Sequence, residues 1–206
     1  MRLIEELREQ RWDDHRFYHH SRVNQSLHLV SALSFIAAYY YVFVDPVVAA
    51  LLGWLVAMVS RQVGHFFFEP HTYDAVNELE HDDKERIKIG YNLQRKRVLL
   101  GIWAATPLMV YTSPGLFGLL TPWADLYSYC HNLAVLWIAL GIAALLGRTV
   151  QLFFIRDVRT GLAWCLKILT DPFNDVRQYW RAPLHLARGE LIDPMYEVRN
   201  GGPPRD

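Results

Sequence analysis

The sequence predicts an all-α, polytopic membrane helix bundle with four transmembrane helices, cytoplasmic N- and C-termini, and amphipathic C-terminal helices at the membrane surface. Three observations carry this expectation. Residues 27–44, 46–68, 98–120 and 132–155 form apolar windows close to the roughly 20 residues a helix needs to cross a bilayer. The 21 Lys and Arg residues are sorted to one end of those windows. Beyond residue 155 the pattern becomes amphipathic, with apolar and basic residues interleaved.

Taken in order, the first 14 residues are charged and helical in pattern, with none of the apolar stretch of a signal peptide. The first two windows are separated only by the Asp45-Pro46 step, which predicts a tight antiparallel hairpin. That hairpin is apolar on every face, a pattern suited to lipid rather than to a small soluble core. The third window is interrupted by Thr112-Ser113-Pro114-Gly115, so its spanning part is short or kinked. The acidic run at 78–83 reads as a solvated loop. After the fourth window, residues 158–169 and 173–188 are expected as two surface helices separated at Asp171-Pro172. The tail, 200–206, contains Gly-Gly-Pro-Pro and is expected to be disordered. The expected units are thus a transmembrane domain, 1–155, cytoplasmic amphipathic helices, 156–199, and the tail.

Charge placement sets the orientation. Five basic residues precede the first window, six lie between Lys84 and Arg97, nine lie from Arg148 onward, and Arg61 is near the inner end of the second window. The loop at Asp45 and the stretch 113–131 have none. The positive-inside rule therefore places both termini and the central loop in the cytoplasm. An integral protein of a bacterial inner membrane or the endoplasmic reticulum is expected. The averages conceal this: net charge is zero and mean hydropathy is +0.05. They still exclude disorder and give no reason to expect a nucleic-acid partner, while two Cys cannot make a disulfide framework. A homo-oligomer is compatible with all of this.

Topology also sorts the nine histidines, of which only His131 falls on the far side. Because the first two windows are antiparallel, His28 near the start of one and His65 near the end of the other lie at one depth. His20, Asn24 and His28 share a helix face at i, i+4, i+8 if one helix runs through them, and His65 and Glu69 are at i, i+4. Ionisable groups in a membrane segment are costly, so they mark function by default. Two His and a carboxylate form the ligand set of non-haem Fe(II) oxygenases, and imidazole with carboxylate also suits Zn or Mn. Asn24, Gln62 and Glu69 are candidates for orienting the imidazoles. His71 is a further candidate ligand, and Arg22 and Arg61 are candidate partners for a substrate carboxylate. His15 and His185 read as surface residues, and Glu78-x-x-His81 is a lone four-residue match to a di-iron motif.

The stretch Tyr18-His19-His20-Ser21-Arg22-Val23-Asn24-Gln25-Ser26-Leu27-His28 resembles the Tyr-His-x4-Asn-x3-His segment of the membrane 2-hydroxy fatty acid dioxygenases. Gly64-His65-Phe66-Phe67-Phe68-Glu69 resembles their Gly-His-x2-Phe-Glu segment, and the match covers about residues 15–75. Enzymes of this family use Fe(II) and O2 to shorten a 2-hydroxy fatty acid by one carbon. The resemblance implies His19, His28 and His65 as iron ligands, with Asn24 and Glu69 as ligand or support. It selects His19 where the helix-face argument selects His20. Two other readings use the same residues: a di-iron lipid hydroxylase or desaturase, whose boxes His15-x3-His19-His20 partly matches, and a b-type cytochrome clasping haem between His28 and His65.

Overall fold

The computed structural model describes residues 2–69 and 72–196. Those residues form helices and no β-strand, with two isolated antiparallel bridges, Ser21–Ile192 and Asp74–Leu79. Helix α1 (Leu3–Tyr18) starts where Glu5 accepts a hydrogen bond from the Arg2 N–H at 2.6 Å, and Glu5 and Glu6 place negative charge in the first turn. Helix α2 (Arg22–Tyr41) is capped by Ser21, whose hydroxyl accepts from the Asn24 N–H.

The Asp45-Pro46 step both reverses and restarts the chain. The Asp45 carboxylate accepts from the N–H groups of Val47 and Val48 at 2.9 and 3.3 Å, and Pro46 occupies the first turn, where its missing N–H costs nothing. A single rod of 22 residues follows: α3 (Pro46–Leu51), a π-helical stretch (Leu52–Met58) and α4 (Val59–Phe67). The expected hairpin is therefore present, with α2 packed along the π-helical stretch and α4. Next come α5 (His81–Ile87) and α6 (Leu93–Thr112), which ends at the Thr-Ser-Pro-Gly interruption. Helix α7 (Leu126–Ile155), capped by Asp125, has 30 residues and is therefore about 45 Å long.

The C-terminal region departs from expectation. Instead of two helices parted at Asp171-Pro172, α8 (Val158–Tyr179) runs straight through Pro172, and only α9 (Ala182–Ala187) follows. Proline removes one helical hydrogen bond. Here its neighbours Asp171, Asp175 and Tyr179 are all buried against the rest of the bundle, so tertiary packing holds the helix together. Helix α8 packs against α1, α2 and α7. Its crossing of α7 needs Gly161, where a Cβ would lie 2.6 Å from the Phe153 ring and 2.8 Å from the Thr149 carbonyl oxygen. The outer face of α8, with Leu162, Leu166, Leu169 and Phe173, is exposed.

Two helices, Pro46–Phe67 and Leu126–Ile155, are long and apolar enough to cross a membrane. Only 33% and 28% of their most apolar stretches is buried, so much of that surface faces outward, unlike a soluble core helix. The other two expected spans correspond to α2 and α6, each of 20 residues. Asn24, Gln25, His28 and Ser31 of α2 are buried, and α6 opens with Arg95, Lys96 and Arg97, so neither is uniformly apolar. The tail, 200–206, and His71 lie outside the described residues.

Candidate metal centre

The chain breaks helix at residues 19–21, between the end of α1 and the Ser21 cap of α2, and this break turns His19 inward. His28 enters from the second turn of α2, and His65 from the last turn of α4. All three are buried, at 1%, 0% and 6% exposure, and one ligand atom from each lies within 4.8 Å of the others. His19 Nε2 and His28 Nε2 are 3.1 Å apart, and the His28 and His65 ring centroids are 5.0 Å apart. Gly64 permits this approach of α4 to α2: a Cβ there would collide with Asn24 Oδ1 and lie 3.6 Å from His28 Cδ2.

The nitrogens facing away from the group show which atoms are left for a ligand. His65 Nδ1 is 2.7 Å from Glu69 Oε2, a hydrogen bond, whereas His28 Nδ1 lies 3.6 Å from Asp175 Oδ2 and has no hydrogen-bond partner. The Glu69 carboxylate holds the proton on His65 Nδ1, the nitrogen that faces it, and leaves Nε2 to the group. A metal with bonds to nitrogen of about 2.0–2.1 Å sets neighbouring ligand nitrogens roughly 3–3.4 Å apart. The His19–His28 edge already has that length, so the donor set fits a metal ion. Burial, reinforced by His28 next to it, pushes the His19 imidazole well below its ordinary value and keeps it neutral, the form that binds metal. His19 Nδ1 is buried with no partner.

The remaining candidates sort clearly. Glu69 stands behind His65 rather than among the grouped ligand atoms, so the grouped set is three His in place of two His and a carboxylate. Asn24 is a support: its Nδ2 donates to the Tyr18 carbonyl at 2.8 Å, and its side chain fills the α2–α4 crossing. His20 turns away, with its Nε2 against the Arg16 carbonyl and 3.5 Å from Asp74 Oδ2. The helix-face argument fails because no single helix runs from 20 to 28. Arg22 is held by Asp193 at 2.8 Å and donates to Gln25 Oε1, and Arg61 is held by Asp175 at 3.2 Å. Both arginines are thus occupied by the protein's own groups. His15, expected at the surface, is buried and hydrogen-bonds through Nδ1 to the Tyr179 hydroxyl at 3.1 Å.

Sequence reasoning missed the contribution of α8. Lys167, Asp171, Asp175 and Tyr179 recur every fourth residue and form one buried face, a signal hidden by ending the helix at Pro172. Lys167 pairs with Asp171 at 2.9 Å and Asp14 at 3.1 Å, Arg11 reaches Asp171, and Arg61 joins Asp171 to Asp175. Burial works against the Asp14 carboxylate, but Lys167 and Arg61 together hold it below the usual range. The Tyr179 ring packs on His19, with centroids 5.5 Å apart.

A cavity of about 460 Å³ opens beside the group and includes His65 in its wall. It continues between the rods along Trp54, Leu99, Leu100, Trp137 and Leu140. The volume is in the range of small-molecule sites. Gln62, one turn before His65, lines it and has its Oε1 buried without a partner. No family model, curated protein or solved structure matches the chain.

Proposed function

We propose that this protein is a membrane-embedded non-haem iron oxygenase acting on a fatty acid or lipid, with a 2-hydroxy fatty acid shortened by one carbon as the first substrate to test. The observation that supports it most is the buried His19–His28–His65 group beside an apolar cavity. The chain crosses the membrane four times in this reading, with the histidine layer at the cytoplasmic side, as the Lys and Arg distribution requires. His19, His28 and His65 hold Fe(II), although Zn or Mn would suit the same three imidazoles. When bound, the iron supplies the means to activate O2 and to polarise an oxygen of the substrate head.

The chain's own residues do the rest. Glu69 fixes the His65 ring by a hydrogen bond to Nδ1, and the Asp175 carboxylate stands 3.6 Å behind His28. The apolar wall, Trp54 to Leu140, takes the acyl chain and excludes water from the reacting end. Gln62 Oε1 accepts a hydrogen bond from a substrate hydroxyl. Among the described residues one such metal-ligating group occurs, which speaks for a mononuclear site over a di-iron one. A haem between His28 and His65 has no room, with their centroids 5.0 Å apart and His19 packed on both. The test is elemental analysis of the purified protein, followed by oxygen uptake with a 2-hydroxy fatty acid. One iron per chain and uptake that is lost in His28→Ala support the reading. Unchanged iron content in His28→Ala and His65→Ala would sink it.

A further inference from the structure

Four cationic side chains line the cavity: Arg61, Lys88, Lys96 and Lys167. Three of them have carboxylate partners. Arg61 is matched by Asp175 and Asp171, Lys167 by Asp14 and Asp171, and Lys88 by Glu85 at 2.8 Å and Glu69 at 3.7 Å. Among the described residues, no carboxylate comes within ion-pairing distance of Lys96, although it lies close enough to His65 and Glu69 to act on both electrostatically. It is half-buried, at the first turn of α6, and the wall beyond it is Leu99 and Leu100 one turn further along the same helix. A half-buried ammonium without a counter-ion is costly, and a hydrogen-bonded anion is what relieves the cost. Burial, with Lys88 close by, pushes this ammonium down to about 7, and Glu69, beyond ion-pairing distance, offsets them only in part.

We infer that Lys96 is the residue that binds the carboxylate of a single-chain fatty acid, holding the acid's head beside His65 while its chain lies along Leu99, Leu100, Trp54 and Trp137. The arrangement deepens the lipid reading given above and rests on it. It makes the protein selective for free acids over the alcohols, esters or amides of the same chain. Selectivity of this kind follows from geometry: the one unmatched positive charge stands where an acyl chain in the apolar part would present its head. Arg22 and Arg61, the cations that sequence spacing brings forward for this role, already have carboxylate partners.

Quenching of tryptophan fluorescence by a chain-brominated stearic acid and by the matching brominated alcohol tests the inference, because Trp54 and Trp137 line the cavity. The metal-loaded protein in lipid nanodiscs is titrated with each probe. The wild type is expected to bind the acid at least about tenfold tighter than the alcohol, the ratio expected of one charge-assisted contact. Lys96→Met is expected to bring that ratio to about one, with alcohol binding and metal content unchanged, and Lys96→Arg to restore the preference. A Lys96→Met protein that still prefers the acid overturns the inference and leaves the lipid reading standing. Loss of alcohol binding and metal together in Lys96→Met assigns Lys96 a structural role and likewise overturns it. A wild type quenched by neither probe removes the lipid reading itself, and the inference with it.

Discussion

Gly64→Ala should damage both stability and the metal group. The residue sits where α4 crosses α2, directly before His65. A Cβ there collides with Asn24 Oδ1 and lies 3.2 Å from Asn24 Cγ and 3.6 Å from His28 Cδ2. Asn24 cannot simply retreat, since it is fully buried and its Nδ2 donates to the Tyr18 carbonyl at 2.8 Å. One route to relief shifts α4 from α2, an overpacking cost of about 1–3 kcal/mol. The other rotates Asn24 off Tyr18 and leaves two buried groups unpaired, again about 1–3 kcal/mol. The cheaper route is taken, and the better helix propensity of Ala returns about 1 kcal/mol, so a net loss of up to about 2 kcal/mol is expected. Gly101→Ala in α6 is the control, because a Cβ there meets nothing within 4 Å and the variant should be as stable as wild type or more so. Thermal unfolding in detergent and metal per chain are the two readouts. Gly64→Ala should lose metal as well, since the His28–His65 spacing is set at the same crossing. In an Asn24→Ala background the added cost should shrink by about 1 kcal/mol. Equal unfolding temperatures and equal metal content for Gly64→Ala and Gly101→Ala would refute this account of the crossing.

Three further outcomes follow from the site. Glu69→Gln should lower metal affinity by about 10- to 100-fold in a chelator competition, because the group behind His65 loses its charge while keeping an acceptor. His20→Ala should retain full metal content and His19→Ala should have none; metal analysis of the pair decides between the two neighbours, and the opposite result refutes the assignment. Lys167→Met should cost about 3 kcal/mol at neutral pH, because it strips a buried partner from Asp14 and Asp171. Asp14, held below its ordinary value of 3.8, contributes stability that is fully present above that value and is lost as pH falls below it. The acid limb of a melting-temperature curve should therefore flatten in Lys167→Met.

Much of the site was legible because a closed antiparallel hairpin converts sequence position into height along the bundle. His28 and His65 are 37 residues apart, yet a hairpin closed by Asp45-Pro46 leaves them no choice but to face one another. Periodicity misled where it presumed a continuous helix. His20, Asn24 and His28 share a face only if helix runs through 19–21, and Ser21 caps α2 there instead, which exchanges His20 for His19. Pro172 misled in the opposite sense, since a residue that ends helices by its own chemistry is carried through by the burial of Asp171 and Asp175 around it. Lys96 was invisible for a different reason. Its significance is the absence of a partner, and charge matching is a property of the folded cavity that no spacing encodes.

The contribution of α8 explains why the centre needs the whole chain. The α2–α4 hairpin brings His28 and His65 together, but on its own it leaves His28 Nδ1 and Arg61 without Asp175, and His19 without the Tyr179 ring that packs on it. Asp175 and Tyr179 arrive from more than 100 residues later, on a helix whose register is fixed by Lys167 and Asp171 pairing with Asp14, Arg11 and Arg61. Burying that many charges gains little net stability, because desolvation offsets most of the Coulomb attraction. What the network does enforce is uniqueness. If α8 slips by one residue along its axis, Lys167 leaves Asp14, Asp175 leaves His28, and several charges are stranded in an apolar interior at once. The histidines are therefore braced by a polar network of α1, α4 and α8, of which Asp14, Arg61, Lys167 and Asp171 also line the cavity.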